Sequence, residues 1–342
     1  MTKVKRLFKV RVPATTANIG CGFDTLSIAL KLYIVTTVSY EQQDSQEDDA
    51  KNTWSDRYRV VYTGLGRYNA DSPIPSQPSK NFLVQILDRV LQENKEHFTL
   101  PSGQRLLLEV ENSIPIGRGM GSSAASIATS ILIANQLAGL GWTSNQIFQK
   151  AVSYEPSADN ISAAVFGNFN IVVGTEPQTT CRTIPISPST FLRAIVVIPH
   201  FQVLTSEART VLPAQYSRQD VVFNIQRVSM LTAMLCSSFQ DTPPSTPSEN
   251  QTSCLMFNDR VHQPYRAKLV PGLEEILSLG PNIPGMFGVF LSGSGPTVLC
   301  LASGNHTEIT KMITDIFAKH SVTSDSMVIE FDTQGLYVEA SV

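Results

Sequence analysis

The chain has 342 residues, which at roughly 150 residues per domain is enough for about two domains or one large elaborated one. Apolar residues make up 42% of it and charged residues 16%, which excludes a disordered chain, since those are rich in charge and poor in apolar side chains. Its 26 Lys and Arg against 29 Asp and Glu leave a net charge of −3, too weak a field to draw nucleic acid or an anionic membrane, so any positive site must be local.

The first predicted element is a strand over Leu7 to Val12, followed by Pro13 to Phe23, where Thr, Ala and Gly are too dense for regular structure to be expected. Apolar residues resume from Leu26 to Val38. The acidic, Gln-rich stretch Glu41 to Asn52 reads as a solvated loop insertion. Arg59 to Tyr62 predicts a strand, and Asn81 to Leu91 a helix that starts at Ser79, with Phe82, Ile86, Val90 and Leu91 near helical spacing. Arg105 to Val110 alternates as a strand, Pro115 to Ser123 is a glycine-rich turn, and Ala124 to Leu137, dense in Ala, Ile and Ser without a breaker, predicts a buried helix. Thr143 is the expected N-cap of a helix running to Ala151. Strands are expected at Phe169 to Val173 and Arg193 to Ile198, then a long apolar-periodic helix at Gln219 to Phe239. Ser237 to Ser253, with Pro243, Pro244 and Pro247, reads as a low-complexity linker. The tail alternates: helix Leu273 to Leu279, strands Gly288 to Leu291 and Thr297 to Leu301, helix Glu308 to His320, and strand Met327 to Phe331. Such irregular alternation favours an α+β architecture over a doubly wound sheet.

No apolar run approaches the roughly 18 residues of a membrane span, and Met1 to Arg11 lacks the apolar region of a signal peptide. The five cysteines, Cys21, Cys181, Cys236, Cys254 and Cys300, are odd in number and far apart, without metal-ligand or disulfide spacing. A reduced, cytoplasmic setting is expected, in which the sequons at Asn160, Asn250 and Asn305 carry no meaning.

Three segments carry chemistry. In Pro115-Ile-Gly-Arg-Gly-Met-Gly-Ser-Ser-Ala-Ala-Ser126, Gly117, Gly119 and Gly121 alternate just before two hydroxyls and a strong helix. Bare backbone N–H groups and a positive helix start suit a phosphate, although a tight connection has the same pattern. No Lys-Ser/Thr follows the glycines as in a Walker loop, and the third glycine falls one position early for a dinucleotide fingerprint. In Pro13-Ala-Thr-Thr-Ala-Asn-Ile-Gly-Cys-Gly-Phe-Asp24, small residues surround Asn18 and Asp24, which can hold a cationic substrate group or satisfy a local turn. Leu291-Ser-Gly-Ser-Gly-Pro-Thr-Val298 lacks the spacing of a nucleophile elbow, which disfavours a serine hydrolase.

The three segments, in this order and at these distances, resemble the GHMP kinases, and within them the homoserine kinases of the fungal type. Asp259-Arg-Val-His-Gln-Pro-Tyr-Arg266 and Gln219-Asp-Val-Val-Phe-Asn-Ile-Gln-Arg227 are similar too, so the resemblance runs from about Phe8 to Phe331. It implies a GHMP fold, with a ribosomal-S5-type N-terminal domain over 1–180, a ferredoxin-like C-terminal domain over 181–342, a junction near Val173 to Ser189, and ATP and substrate between the two.

The resemblance implies a phosphate loop of Pro115, Gly117, Arg118, Gly119, Gly121, Ser122, Ser123 and Ala124, with Asn81 near the base. It implies Mg²⁺ on Ser123 and Glu155, a donor set that suits an ion taking few carboxylates beside water and phosphate oxygens. Asn18, Asp24, Ser157, Asn160, Thr205, Arg209 and Arg266 match acceptor-binding positions, and Glu155, Ser123 and Arg209 the catalytic ones. An amino acid carries an ammonium for Asp24 and a carboxylate for Arg209 and Arg266. The implied partners are a small amino-acid substrate and a second copy in a family-typical homodimer, without nucleic acid or membrane.

One position departs from the pattern. Homoserine kinases usually read Glu-x-His-Pro-Asp-Asn, whereas Glu155-Pro-Ser-Ala-Asp-Asn160 puts Ser157 at the histidine and keeps Asp159 and Asn160. Serine is shorter and never cationic at neutral pH, so three readings stay open: homoserine phosphorylation, transfer to another small alcohol or hydroxy-amino acid, or nucleotide and metabolite binding without turnover. The resemblance also implies that transfer proceeds without a strong base.

Overall fold

A computed structural model describes residues 4–43, 54–63, 74–155, 157–174, 178–239, 253–280 and 282–339. Most of the acidic insertion and residues 240–252 of the Ser/Pro stretch lie outside them. The architecture is α+β, built on two sheets.

Strand β1 (Val4–Ala17) and strand β2 (Leu26–Gln42) form a long antiparallel pair. Contrary to expectation, Pro13 to Ala17 continues β1, because a register shift between Pro13 and Ala14 absorbs the proline, which cannot donate to the ladder. The small residues there are buried, with Ala14, Thr15, Thr16 and Ala17 all fully covered. Helix α1 (Trp54–Arg57) leads into strand β3 (Tyr58–Thr63). A single 3₁₀ turn, Pro78–Lys80, precedes helix α2 (Phe82–Glu93), so the helix starts at Phe82 rather than Ser79, with Asn81 as its N-cap. Strand β4 (Gln104–Asn112) pairs antiparallel with β2 and parallel with β3. Glu41, at the end of β2, is buried and binds both Arg59 (2.5 Å) and Arg105 (2.7 Å), so it belongs to the sheet and not to a solvated loop.

Helix α3 (Ser122–Leu137) is buried along most of its length, which is why its sequence lacks a polar face. Its Ser126, Thr129 and Ser130 hydroxyls donate to carbonyls one turn back. Helix α4 (Ser144–Val152) starts in a capping box of Thr143 and Gln146. Helix α5 (Ala158–Phe166) and strand β6 (Thr180–Ile184) were not expected from the sequence; β6 pairs with strand β5 (Phe169–Val173), which pairs in turn with β2. A division at 180/181 therefore falls inside β6. Strand β11 (Tyr337–Glu339), from the end of the chain, joins the same sheet beside β1.

The second sheet runs β10 (Ser324–Ile329), β7 (Arg193–Pro199), β9 (Val298–Ala302), β8 (Met286–Leu291). Alternation splits its side chains between two cores: Ala194, Val196, Leu299 and Leu301 join the first sheet's core, and Ile195, Val197 and Cys300 face another. Helices α9 (Leu273–Leu277) and α10 (His306–Lys319) close that second core through Leu273, Ile309, Ile313 and Phe317. Helices α6 (Thr205–Thr210), α7 (Arg218–Ser238) and α8 (Gln263–Arg266) complete this half. Helix α7 reaches the first core through Leu231 and Leu235, whereas Val221, Val222, Ile225 and Met230 are exposed.

Candidate active site

A cleft of about 430 Å³, within the range of small-molecule sites, is lined from both halves of the chain. Its floor is the loop between β4 and α3. Gly117, Gly119 and Gly121 have φ of 65°, 78° and 68°, in the left-handed region that only glycine enters freely, which explains their alternation. A Cβ on Gly119 would stand 2.1 Å from the Ser292 carbonyl oxygen. The Ser292 hydroxyl donates to the Gly119 carbonyl at 2.7 Å, and the Thr297 N–H donates to that of Arg118 at 3.3 Å. Two glycine-rich segments far apart in sequence are thus one unit, stitched also to β1 where the Thr15 N–H donates to the Met120 carbonyl. The loop delivers the start of α3, where Gly121 caps without a side chain and Ser122, Ser123 and Ala124 border the cleft. First-turn amides and the positive helix end suit an anion. Gly119→Ala is expected to cost about 2–4 kcal/mol through backbone strain and the clash with Ser292, read as a lower denaturant midpoint at constant m.

The side chains of two residues expected to meet the nucleotide bond to the protein itself. The Arg118 guanidinium is buried against protein, its Nε donating to the Pro199 carbonyl and Nη1 to that of Ile116. The fully buried Asn81 accepts from the Val84 N–H and donates to the Pro75 carbonyl and the Tyr62 hydroxyl. Both hold the cleft's walls, because buried backbone groups there need partners. Pro115 does not line the cleft; its neighbour Ile116 does.

Glu155, in the turn after α4, borders the cleft with Oε2 buried and unpartnered. Burial raises its pKa, opposed by hydrogen bonds from Ser123 and Ser157 and by the charge of Arg209. Ser157 precedes α5 without capping it through its side chain, and it lines the cleft. Asp159 was passed over as a site residue, yet it is fully buried, lines the cleft and leaves Oδ2 without a partner. Its pKa is pushed up to about 7, by burial first, then by Asp24 and Glu155. Asn160 accepts a hydrogen bond from the Thr15 hydroxyl at 2.8 Å.

At the other end, Thr205 and Arg209 lie one turn apart on α6 and both line the cleft. Arg209 meets Asp24 through two contacts of 3.3 Å. Arg266 is buried; Nε donates to the Ala208 carbonyl, and Nη1 to that of Gly293 (2.9 Å) and to His262 Nδ1 (3.3 Å). Burial lowers its pKa to about 10, so it stays charged at neutral pH. His262 is buried with Nε2 donating to the Gly20 carbonyl at 2.7 Å, which leaves Nδ1 as the acceptor for Arg266. Asn18, at φ 67°, spends its side chain on backbone, accepting from the Asp24 N–H and donating to the Gly293 carbonyl. These bonds hold Asp24 and tie the two halves together at a residue that itself lines the cleft.

Comparison with known proteins places this geometry. The family model described as GHMP kinases N terminal domain matches residues 81–168, and that described as GHMP kinases C terminal matches residues 249–313. The chain is 33% identical to the homoserine kinase of Saccharomyces cerevisiae, over 98% of this chain and 99% of that one. It is 34% identical to the homoserine kinase of Schizosaccharomyces pombe, over 94% and 96%. The chain belongs to the homoserine kinase family of GHMP kinases. Its fold matches the crystal structure of homoserine kinase from Cytophaga hutchinsonii with a TM-score of 0.73 at 24% identity, covering 97% of both chains. Cleft residues that sequence reasoning did not assign to the site include Asp159, Tyr62, Lys80 and Phe82. Phe82, at the start of α2, is 44% exposed beside the cleft.

Proposed function

We propose that the chain transfers the γ-phosphoryl group of ATP to the side-chain hydroxyl of L-homoserine, giving O-phospho-L-homoserine and ADP. The observation that carries the reading is the pairing of two ends in one cleft: a glycine-built anion cradle, and a patch where Asp24 and Asp159 stand beside Arg209 and Arg266. A nucleotide phosphate suits the first and a zwitterion the second. Full-length identity to homoserine kinases selects homoserine among zwitterionic alcohols.

Mg²⁺ fits the residues present. Glu155 offers an unpartnered buried oxygen beside the Ser123 hydroxyl, and a buried carboxylate whose pKa burial raises gains most from a cation. The ion, when bound, supplies charge neutralisation at the transferring phosphate. The chain's own contribution is positional and electrostatic. Amides of Ser122 to Ala124 and the α3 dipole stabilise charge on the phosphates, Arg209 and Arg266 hold the acceptor carboxylate, and Asp24 holds its ammonium. Asp159, with a pKa near neutrality, takes the hydroxyl proton at Oδ2 as the new O–P bond forms. Ser157 fits the same scheme by hydrogen-bonding Glu155.

The reading includes a cytoplasmic setting, where the free cysteines stay reduced. A coupled ADP-release assay with homoserine, serine, threonine and mevalonate as separate acceptors tests it. Homoserine is expected to give a kcat/KM at least tenfold above the others. A flat response to homoserine with turnover of another alcohol would move the activity to that acceptor, and absence of ligand-dependent ADP release would leave a binding protein.

A further inference from the structure

Arg209 and Asp24 close on each other across the acceptor end of the cleft. Nη1 meets Oδ2 and Nη2 meets Oδ1, both at 3.3 Å, so each oxygen has one guanidinium nitrogen. The two residues come from different halves, Asp24 from the β1–β2 connection and Arg209 from the last turn of α6. Among the described residues neither side chain has another hydrogen bond or ion pair. Their backbones are held independently of that contact: Asp24 sits at φ 51° with its N–H bonded to Asn18 Oδ1, and Arg209 is helical. The pair is about 40% exposed, 38% at Arg209 and 44% at Asp24, and so lies open to a ligand arriving in the cleft.

We propose that this ion pair determines acceptor specificity: it occupies the positions of the acceptor's own two charges, and only a molecule carrying both an ammonium and a carboxylate opens it without leaving a charge unpaired. The proposal rests on the acceptor reading above and adds the reason why singly charged alcohols are refused. A zwitterion exchanges one ion pair for two, its ammonium on Asp24 and its carboxylate on Arg209. An alcohol with a carboxylate alone takes Arg209 and strands Asp24 near the carboxyl group of Asp159. An alcohol with an ammonium alone takes Asp24 and strands Arg209 near the buried Arg266. Like charges already act across this end of the cleft: Asp24 and Glu155 raise the Asp159 pKa, and Arg209 lowers that of Arg266. Rejection by a stranded charge complements attraction of the right partner.

The test uses Asp24→Asn and Arg209→Gln in the full chain. Asparagine takes a left-handed φ as readily as aspartate, and the bond from the residue 24 N–H to Asn18 is unchanged, so Asp24→Asn keeps the local fold. Dissociation constants are read by calorimetry for homoserine, 4-hydroxybutyrate (carboxylate only) and 3-aminopropan-1-ol (ammonium only). In Asp24→Asn, 4-hydroxybutyrate is expected to bind about threefold tighter than to wild type, the size that a half-exposed ion pair commands. In Arg209→Gln the same gain is expected for 3-aminopropan-1-ol, while homoserine weakens in both variants. If removing one charge leaves the matching analogue unchanged or weaker, Asp24 and Arg209 are independent subsites and the proposal is overturned. A wild-type chain that does not phosphorylate homoserine overturns the acceptor reading instead, since the analogue constants are measured without turnover.

Discussion

Glu155→Gln is expected to lower kcat by about 10³-fold at saturating ATP and homoserine, the upper range for losing one preorganised charge interaction in the transition state. The replacement is nearly isosteric, and its amide oxygen still accepts from Ser123 and Ser157. It also removes a buried carboxylate whose ionised form burial disfavours, so the melting temperature should hold or rise. The loss is therefore catalytic, and raising Mg²⁺ should recover part of it by mass action. Measuring kcat against Mg²⁺ concentration beside a thermal melt decides the matter. Turnover near wild type at ordinary Mg²⁺ would remove Glu155 from the metal site.

Asp159→Asn is expected to reduce kcat/KM by roughly 10²–10³-fold, the usual contribution of a positioned proton acceptor. The wild-type pH profile carries the sign. With its pKa raised to about 7, Asp159 is protonated on the acid side and ionised above it. If the ionised form is the working one, kcat/KM falls tenfold per pH unit below about 7 and levels off above. Bound homoserine brings an ammonium close to this carboxylate and favours its ionised form, so the inflection in kcat lies on the acid side of that in kcat/KM. Glu155 is among the groups that raise the Asp159 pKa, hence Glu155→Gln should shift the kcat/KM inflection to lower pH. An acid limb that persists in Asp159→Asn would assign it to another group.

What could be read in the sequence depended on how locally each feature is determined. Gly117, Gly119 and Gly121 were legible because a left-handed backbone at a helix entrance demands glycine whatever surrounds it. The capping box at Thr143 was legible for the same reason, since it involves only four consecutive residues. Arg118 and Asn81 mark a limit of the sequence, because identical side chains can reach for a nucleotide or for buried carbonyls, and only packing shows the carbonyls they bond. Asp159 was seen as part of the motif but given no role, because its chemistry comes from complete burial near the charges of Asp24 and Glu155, two residues distant from one another in the chain. Ser157, read as a departure from the family's histidine, stands where its hydroxyl favours the ionised form of Glu155, a juxtaposition that no spacing rule encodes. Strands β6 and β11 were missed since neither makes sense without its partner, and β11's partner lies at the opposite end of the chain.

That last pairing bears on how the molecule is made. Arg11 Nε donates to Glu339 across a separation of 328 residues, and Val10 faces Val338 in the ladder. On a ribosome the N-terminal half leaves the exit tunnel first, yet one edge of its sheet stays bare until the residues of β11 follow. Contacts this remote in sequence close late. During the interval β1 presents an open strand edge, the surface through which nascent chains pair with the wrong neighbour.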